Sequence, residues 1–298
     1  MPSRFDAARF VGAALLFVAF FYARSSLSQS VIAGRQQGDP AKPVVLDGWY
    51  RPVSGPAKEE PRAPAPNHDI SGTWDPGPAG LQILGSAAMP DDGNPQHALP
   101  YTALGLQKLG LTKPSAGFRS ALPTDSNDPA YACNPAGMPR VDLHDVRITE
   151  ILQTPLKIVI LYQFDRIWRV IWTDGRDFPK DPEPRWLGYS VGKWVDATTL
   201  VVQTWGTDER TWVDRAGRPH SADLRVEERY HRVDRDHLEL SVTINDPKMY
   251  TKPWVPLDKL SFRMLAPDYD SREMMCSPAE LDEYNRLMGA PLSNKDGK

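Results

Sequence analysis

The sequence has few of the residues from which metal sites are built. Only two cysteines, Cys133 and Cys276, occur in 298 residues, and no Cys-x-x-Cys pair is present. The six histidines are scattered, with no His-x-His or His-x-x-x-His spacing. Because protein metal sites need clustered ligands, we expect neither a metal ion nor another cofactor.

Runs of like charge are also missing. The net charge is −3, and no block of like charge reaches five residues. Nucleic-acid-binding domains carry basic clusters or stripes, so nucleic acid is not an expected partner. The hydrophobic fraction of 41% and the charged fraction of 24% are those of a globular protein rather than a disordered one.

No apolar run reaches the roughly 20 residues that a membrane-spanning helix needs. The longest run, residues 10–23, follows two arginines and precedes small residues that end at Ser28. This order is typical of a secretory signal peptide, and it predicts removal of residues 1–28. The alternative is an uncleaved anchor, which Arg24 favours, and only then would a membrane be a partner. In both cases the body of the protein lies outside the cytoplasm, in the periplasm or secreted.

Export changes the expectation for the two cysteines. An even cysteine count in an exported protein favours a disulfide, here between Cys133 and Cys276. The bridge would close a loop of 143 residues. The alternative is two buried free thiols.

The chain then divides into a linker and a folded domain. Residues 29–68 hold seven prolines between Pro40 and Pro66 and show no apolar periodicity, which predicts a flexible, extended linker. Within this linker, the apolar stretch at residues 44–50 could dock on the domain as a short strand. Residues 69–298 are expected to form one domain.

This domain is predicted to be mainly β. Runs of β-branched and aromatic residues alternate with turn residues, mostly at hairpin spacing. The runs are 70–74, 146–153, 156–163, 166–173, 185–195, 199–205, 223–233, 237–246 and 259–265. Eight or nine strands without intervening helices predict an antiparallel meander. Such a meander closes as a barrel, which removes its edges, or packs as a two-sheet sandwich.

Two helices are predicted outside the strands. The first covers residues 101–109 and ends at Gly110. The second begins at the C-terminal end of the domain, where Ser277 is the cap, Pro278 takes the first position and Glu280 completes a capping box. It runs to about Met288. A Cys133–Cys276 bridge would attach this helix to the barrel.

The segment "ISGTW" is similar to the Gly-x-Trp signature that opens lipocalin-like (calycin-type) barrels, with Gly72 and Trp74 in its positions. The resemblance implies that Trp74 packs across the barrel floor. Blocks such as "GYSVGKWVDATTLVVQTWG" and "TINDPKMYTKPW" also resemble an uncharacterised family of exported bacterial proteins, over roughly residues 130–256. That likeness implies export and a β-rich domain, and it carries no known activity.

The stretch "GYSVG", residues 188–192, matches the Gly-x-Ser-x-Gly elbow of serine hydrolases. The elbow needs a helix after the serine and an α/β sheet, and neither is predicted here. Gly188, Ser190 and Gly192 instead share one face of a strand. A face this bare predicts a bent strand or a close approach of a ligand.

Strand parity predicts two carboxylates inside the barrel. In 223–233, Glu228 shares the apolar face with Tyr230, and in 146–153, Glu150 lies on the face of the apolar residues. A buried carboxylate without a partner costs several kcal/mol. Each of the two therefore needs a cation.

An arginine on residues 166–173 can supply that cation. Arg166 shares a face with Trp168 and Trp172, and Arg169 lies on the other face, so one arginine points inward on either choice. The resulting Glu–Arg pair is either a structural ion pair or the ionic centre of a ligand cavity. The tryptophans are either aromatic walls of that cavity or large core residues.

The loop "WVDRAGRPHS", residues 212–221, offers a second site. Loops at a barrel mouth often carry function, and His220 oriented by Asp214 would suit acid–base chemistry. The alternative is ordinary turn chemistry.

Three functional hypotheses follow. The first is a binding protein for a small apolar or aromatic molecule held in the barrel. The second is a cofactor-independent lyase, isomerase or hydrolase, with Glu228 or His220 as base and Asp214 orienting His220. The third is a structural envelope protein, favoured by a packed interior. The expected ligand-contacting residues are Glu150, Arg166, Arg169, Trp168, Trp172, Ser190 and Tyr230.

Overall fold

The computed structural model describes residues 46–53, 62–81, 90–122, 125–284 and 286–287. The predicted signal peptide and most of the predicted linker lie outside these ranges. No helix in them has the length and apolar character to span a bilayer.

Nine strands form a closed barrel, which excludes the sandwich alternative. All nine predicted strands are present; the largest differences are at β9, which begins five residues earlier than predicted, and at β5, which begins four residues later. They are β1 (Gly72–Asp75), β2 (Thr149–Gln153), β3 (Lys157–Tyr162), β4 (Trp168–Trp172), β5 (Tyr189–Trp194), β6 (Thr199–Trp205), β7 (Arg225–Arg232), β8 (His237–Asn245) and β9 (Trp254–Met264). β1 pairs with β2 on one side and with β9 on the other, and this closes the ring. The result is compatible with a calycin-like barrel.

One strand pair departs from the predicted antiparallel meander. β4 and β5 are parallel, with Ile171 opposite Ser190 and Trp172 opposite Val191. The reason lies in the connection between them, residues 173–188, which is rich in proline and charge and too long for a hairpin. It carries the chain back to the other end of the barrel, as a parallel pair requires.

Side chains fill the interior. The alternation on β8 places Leu238, Leu240, Val242 and Ile244 inside, all buried, as predicted from their period of two. Inward residues of the other strands pack with them into one cluster that includes Ile160, Leu200, Val226 and Phe262. Burial of this apolar surface is the main favourable term for folding.

The lower end of the barrel, where the β5–β6 and β7–β8 hairpins lie, is sealed around Trp74. Its ring is fully buried, and its indole N–H donates to the carbonyl oxygen of Ile70 at 3.0 Å. The guanidinium of Arg232 lies over the ring, 4.7 Å from its centroid. Trp74 therefore packs across the floor, as its motif implies.

The upper end is covered by residues 136–143, here called the plug, all of which are buried. The Met138 N–H donates to the carbonyl oxygen of Trp186 at 3.0 Å. Arg140 donates to both carboxylate oxygens of buried Asp128, each at 2.7 Å. Gly137 has φ +70°, and a side chain there would meet Thr211. These contacts fix the plug over the barrel.

Within the described residues, three short α-helices flank the barrel: α1 (Gly77–Leu81), α2 (Ala103–Leu111) and α3 (Pro278–Tyr284). α2 begins two residues later than predicted, after the Thr102 cap, and Gly110 lies within it rather than ending it. α3 begins as predicted: the Ser277 hydroxyl accepts from the Glu280 N–H at 3.4 Å. Its predicted end near Met288 lies outside the described residues.

Cys133 and Cys276 form a disulfide, as predicted. The bridge joins the chain before α3 to the turn that precedes the plug. Part of the predicted linker also docks on the domain. The Gly48 N–H donates to the carbonyl oxygen of Asp270 at 2.8 Å, and Leu46 forms a single β-bridge with Pro52.

Candidate functional site

Glu228 and Arg169 form a buried ion pair in the upper half of the barrel. β7 directs Glu228 inward, where it is fully buried, and β4 directs Arg169 toward it. The guanidinium donates to both carboxylate oxygens, at 2.8 and 2.6 Å. Burial alone would lower the pKa of Arg169, but the Glu228 carboxylate raises it well above the ordinary value, so the guanidinium stays charged.

Hydroxyl groups complete the shell of Glu228. The Tyr230 hydroxyl donates to it at 2.8 Å, and the Thr204 hydroxyl lies at 3.4 Å. Ser190 bonds to Thr204 at 2.9 Å and is buried. Ser190 therefore belongs to this hydroxyl chain, and β5 continues past it as a strand, without the helix of a nucleophile elbow.

A second carboxyl group, Asp142, reaches this centre from the plug. It is buried, and its pKa is raised well above the ordinary range, first by burial and then by the negative charge of Glu228. Burial next to Glu228 therefore favours the neutral form of the Asp142 carboxyl group. Asp142 could not be predicted from the sequence, since the plug has no strand alternation that indicates a side-chain direction.

The Asp142 carboxyl group interacts with both Glu228 and Tyr162, and Arg169 Nε is a buried donor of this centre that makes no hydrogen bond. Burial also raises the pKa of Tyr162 and of Tyr230 well above the ordinary value. The Glu228–Arg169 ion pair is therefore surrounded by tyrosine hydroxyl groups in their neutral form. Both oxygens of Glu228 accept hydrogen bonds, from Arg169, Tyr230 and Thr204, and its role as a base stays a prediction.

The expected cavity residue on β2 faces the other way. Glu150 is exposed, so its predicted inward direction is wrong. The inward direction was predicted from the apolar residues at positions 146 and 148. These positions precede β2, and their alternation does not continue into the strand. Leu152, assigned to the inner face by the same count, is 50% exposed.

The expected aromatic walls also lie outside. Trp168 is 62% exposed, and Trp172 stands on the outer face beneath Arg176, whose guanidinium is 3.4 Å from the ring centroid. Arg166 precedes β4, is exposed and lies 3.8 Å from Glu273. The sequence left both faces of β4 open, and Arg169 takes the inner one because it reaches Glu228. Arg166, Trp168 and Trp172 therefore do not have the cavity positions expected of ligand-contacting residues.

A pocket of about 330 Å³ opens at the barrel mouth, between α2 and the loops that join β6 to β7 and β8 to β9. We call it the mouth pocket. Its apolar lining comes from Leu104, Leu111, Trp212, Pro219 and Met249, and its polar lining from Lys108, Thr112, Asn127, Glu209, Thr211, His220, Ser221 and Lys248. A shallower surface pocket of about 620 Å³ lies beside Trp49 and Tyr269. Both are outside the barrel interior.

His220 lies at the wall of the mouth pocket and is buried. Its Nε2 is 2.8 Å from the Thr211 hydroxyl, and its Nδ1 is 3.3 Å from the carbonyl oxygen of Ser221. Burial lowers the pKa of His220 below its ordinary value, so the ring is neutral at pH 7. Thr211 was missed from the sequence because nothing in its local pattern distinguishes it from other loop threonines.

Asp214 does not have the predicted orienting role. Its carboxylate accepts from Arg218 at 3.0 Å and from the Ala216 N–H at 3.0 Å. These bonds close the turn at Gly217. The orientation of His220 comes instead from the carbonyl oxygen of Ser221.

The free energy of unfolding is expected to fall in acid because of buried neutral histidines. The pKa of His144 is lowered to about 3, first by burial and then by the charge of Arg140. A group that binds its proton only after unfolding costs up to about 1.4 kcal/mol per pH unit below its unfolded pKa. This loss begins near pH 6.5 and continues toward pH 3. Urea unfolding at several pH values measures how the free energy of unfolding depends on pH. Between pH 6.5 and pH 3, this free energy should fall less steeply for His144→Gln than for the wild type. An unchanged slope would contradict this assignment.

The comparisons with known proteins do not assign a family. No family model matches the sequence, and neither curated proteins nor solved structures show a significant match. In the part of the chain that the structure describes, no three His, Cys, Asp or Glu side chains are grouped to hold a metal ion. The function must therefore be argued from the barrel and its mouth pocket.

Proposed function

We propose that the protein binds a small molecule with an apolar or aromatic body in the mouth pocket. The observation that carries the proposal is the pocket itself: its volume of about 330 Å³ falls in the range of small-molecule sites. Leucine side chains of α2 form one wall, and Leu104 and Leu111 are 40% and 65% exposed. A ligand that covered them would remove apolar surface from water.

The charges of the lining favour a ligand that also carries an acidic group. Two lysines, Lys108 and Lys248, line the pocket, against one glutamate. That glutamate, Glu209, already accepts from the Ala222 N–H at 2.6 Å. A carboxylate or sulfonate at the rim would be attracted to the lysines, while the apolar body rests on α2 and Met249.

The position of the ligand differs from the one first expected. The barrel interior is packed with side chains, which by itself favours a structural protein. The mouth pocket nevertheless supports the binding hypothesis, with the ligand bound outside the barrel interior. We further propose that binding takes place outside the cytoplasm, since the Cys133–Cys276 disulfide is typical of an oxidising compartment.

The proposal predicts that truncating the leucine wall weakens binding of an apolar anion. The probe is 1-anilinonaphthalene-8-sulfonate, titrated by fluorescence. Leu104→Ala/Leu111→Ala removes two apolar contacts and is expected to weaken binding about tenfold, or about 1.4 kcal/mol. Alanine has a higher helix propensity than leucine, so α2 should remain folded.

Leu106→Ala is the matched control. Leu106 lies on the same helix and is 57% exposed, but it is not part of the pocket lining. It should change the affinity less than twofold. Equal effects of the two variants, or no effect of either, would show that the dye binds elsewhere and would refute the proposal.

A further inference from the structure

The Thr211–His220 pair has the geometry of a nucleophile and its base. The hydroxyl oxygen and Nε2 are 2.8 Å apart, and both residues line the mouth pocket. Nucleophilic enzymes place a hydroxyl within about 2.6–3.2 Å of a base, and a third group orients the base. The third group here is the carbonyl oxygen of Ser221, 3.3 Å from Nδ1.

The direction of the Thr211–His220 hydrogen bond follows from this arrangement. A carbonyl oxygen only accepts, so Nδ1 of His220 carries the hydrogen that points to Ser221. In the neutral ring Nε2 then has no hydrogen and must accept. The Thr211 hydroxyl is the donor to it, although the carbonyl oxygen of Asp208 is also within reach at 3.1 Å. Nε2 is therefore in place to take the hydroxyl proton.

We propose that Thr211 and His220 form a catalytic dyad that hydrolyses esters of small apolar or aromatic acids in the mouth pocket. The inference rests on the proposed function, because the same pocket must hold the acyl group. It adds a reaction, a nucleophile and a substrate class to that binding site.

The steps balance with water as the only co-reactant. The Thr211 oxygen attacks the acyl carbon while Nε2 of His220 takes the hydroxyl proton. His220 then gives this proton to the leaving alcohol oxygen as the ester bond breaks, which leaves the acyl group on Thr211. Water attacks that acyl group with His220 as base, and the acid and the free hydroxyl are released.

The charges of the pocket suit this course. Negative charge develops on the acyl oxygen during attack, and the product is a carboxylate. Lys108 and Lys248 line the same pocket, so positive charge lies near both. Cations placed where negative charge develops stabilise the transition state. Lys248 itself is held 3.1 Å from Asp223.

A second threonine–histidine pair provides an internal comparison. The Thr199 hydroxyl lies 3.0 Å from Nδ1 of His231, which is similar in distance to the proposed dyad. His231 is on the outer face of β7 and is exposed. Neither residue lines the mouth pocket. The pocket therefore distinguishes the proposed dyad from this structural pair.

The test uses hydrolysis of p-nitrophenyl butyrate by the full chain. Thr211→Val and His220→Gln are each expected to lower kcat/KM at least about 100-fold, with 1-anilinonaphthalene-8-sulfonate affinity within twofold of the wild type. The acid limb of the kcat/KM profile should lie below pH 6.5, because burial lowers the pKa of His220. Two matched controls, Thr207→Val and His231→Gln, should keep the activity. Thr207 is buried on the same loop and its hydroxyl makes no hydrogen bond.

Covalent labelling keeps the inference testable if a variant does not fold. A fluorophosphonate should form a bond between its phosphorus and the Thr211 oxygen, with loss of fluoride, and peptide mass spectrometry of the wild type should find the adduct there. Dye binding without turnover or adduct would overturn the dyad and leave the binding proposal intact. Activity that survives in Thr211→Val but not in His220→Gln would overturn Thr211 as nucleophile. If the dye did not bind to the wild type, the proposed function itself would be refuted.

Discussion

Replacing Arg169 by methionine is expected to lower the free energy of unfolding by about 3–5 kcal/mol, because it leaves a buried carboxylate without its cation. Arg169 donates to both oxygens of Glu228, and both side chains are buried. Asp142 cannot compensate, since a carboxyl group carries no positive charge to replace that of Arg169. Chemical unfolding followed by tryptophan fluorescence and by circular dichroism measures the loss.

The control for this prediction is Arg166→Met, three residues earlier. Arg166 is exposed and lies 3.8 Å from Glu273, and such surface pairs contribute about 0–1 kcal/mol. The double variant Arg169→Met/Glu228→Leu removes both charges and should recover much of the stability, as buried pairs replaced by apolar residues often do. If Arg169→Met were no more destabilising than Arg166→Met, the ion pair would not be the structural centre of the barrel.

Removing the disulfide has the second large expected effect. Cys133→Ala/Cys276→Ala opens a loop of 143 residues. The chain-entropy argument gives close to 5 kcal/mol for such a loop, and measured losses are about 2–5 kcal/mol. The bridge spans all strands from β2 to β9, so it restricts most of the unfolded barrel. Unfolding of the double variant and of the wild type, each with and without reductant, measures the loss.

Reductant provides the control. It should bring the wild type to the stability of the double variant and leave the double variant unchanged. A double variant within about 1 kcal/mol of the oxidised wild type would contradict the prediction. It would mean that the unfolded chain is already compact enough to make the cross-link redundant.

The strands could be predicted because apolar and polar residues alternate along them, as in a sheet with one face buried and the other exposed. On β8 four apolar side chains fall at every second position, and all of them point inward. The same reasoning assigned Glu228 to the interior correctly. It failed at Glu150, because residues 146–148 were taken as part of the strand although they precede β2. A shift of the alternation by an odd number of residues moves every side chain of a strand to the opposite face.

The inward face of β4 shows a different limit of prediction from the sequence. Arg166, Trp168 and Trp172 on one face and Arg169 on the other give no apolar preference to decide between them. Tertiary contacts decide: Arg169 meets Glu228, and the outward Trp172 stacks on Arg176. Such a choice depends on residues distant in sequence, so local periodicity could not make it.

The loop residues of the site were the hardest to predict. Asp142 lies on the plug and Thr211 on the β6–β7 loop, where no regular period relates position to direction. Asp214 and His220 are six residues apart, and sequence proximity suggested a pair that the turn at Gly217 does not form. The mouth pocket itself depends on α2, which packs against loops more than a hundred residues later in the chain.

Closure of the barrel rests on its shortest strand. β1 has four residues and pairs with β9 only through Trp74 and Asp75, opposite Met264 and Arg263. The growing chain therefore carries open sheet edges until Met264 has been synthesised and returns to β1. Long-range pairing of this kind is slow, and open edges expose a chain to aggregation. Until β9 docks on β1, the free edges of both strands are open to pairing with another chain.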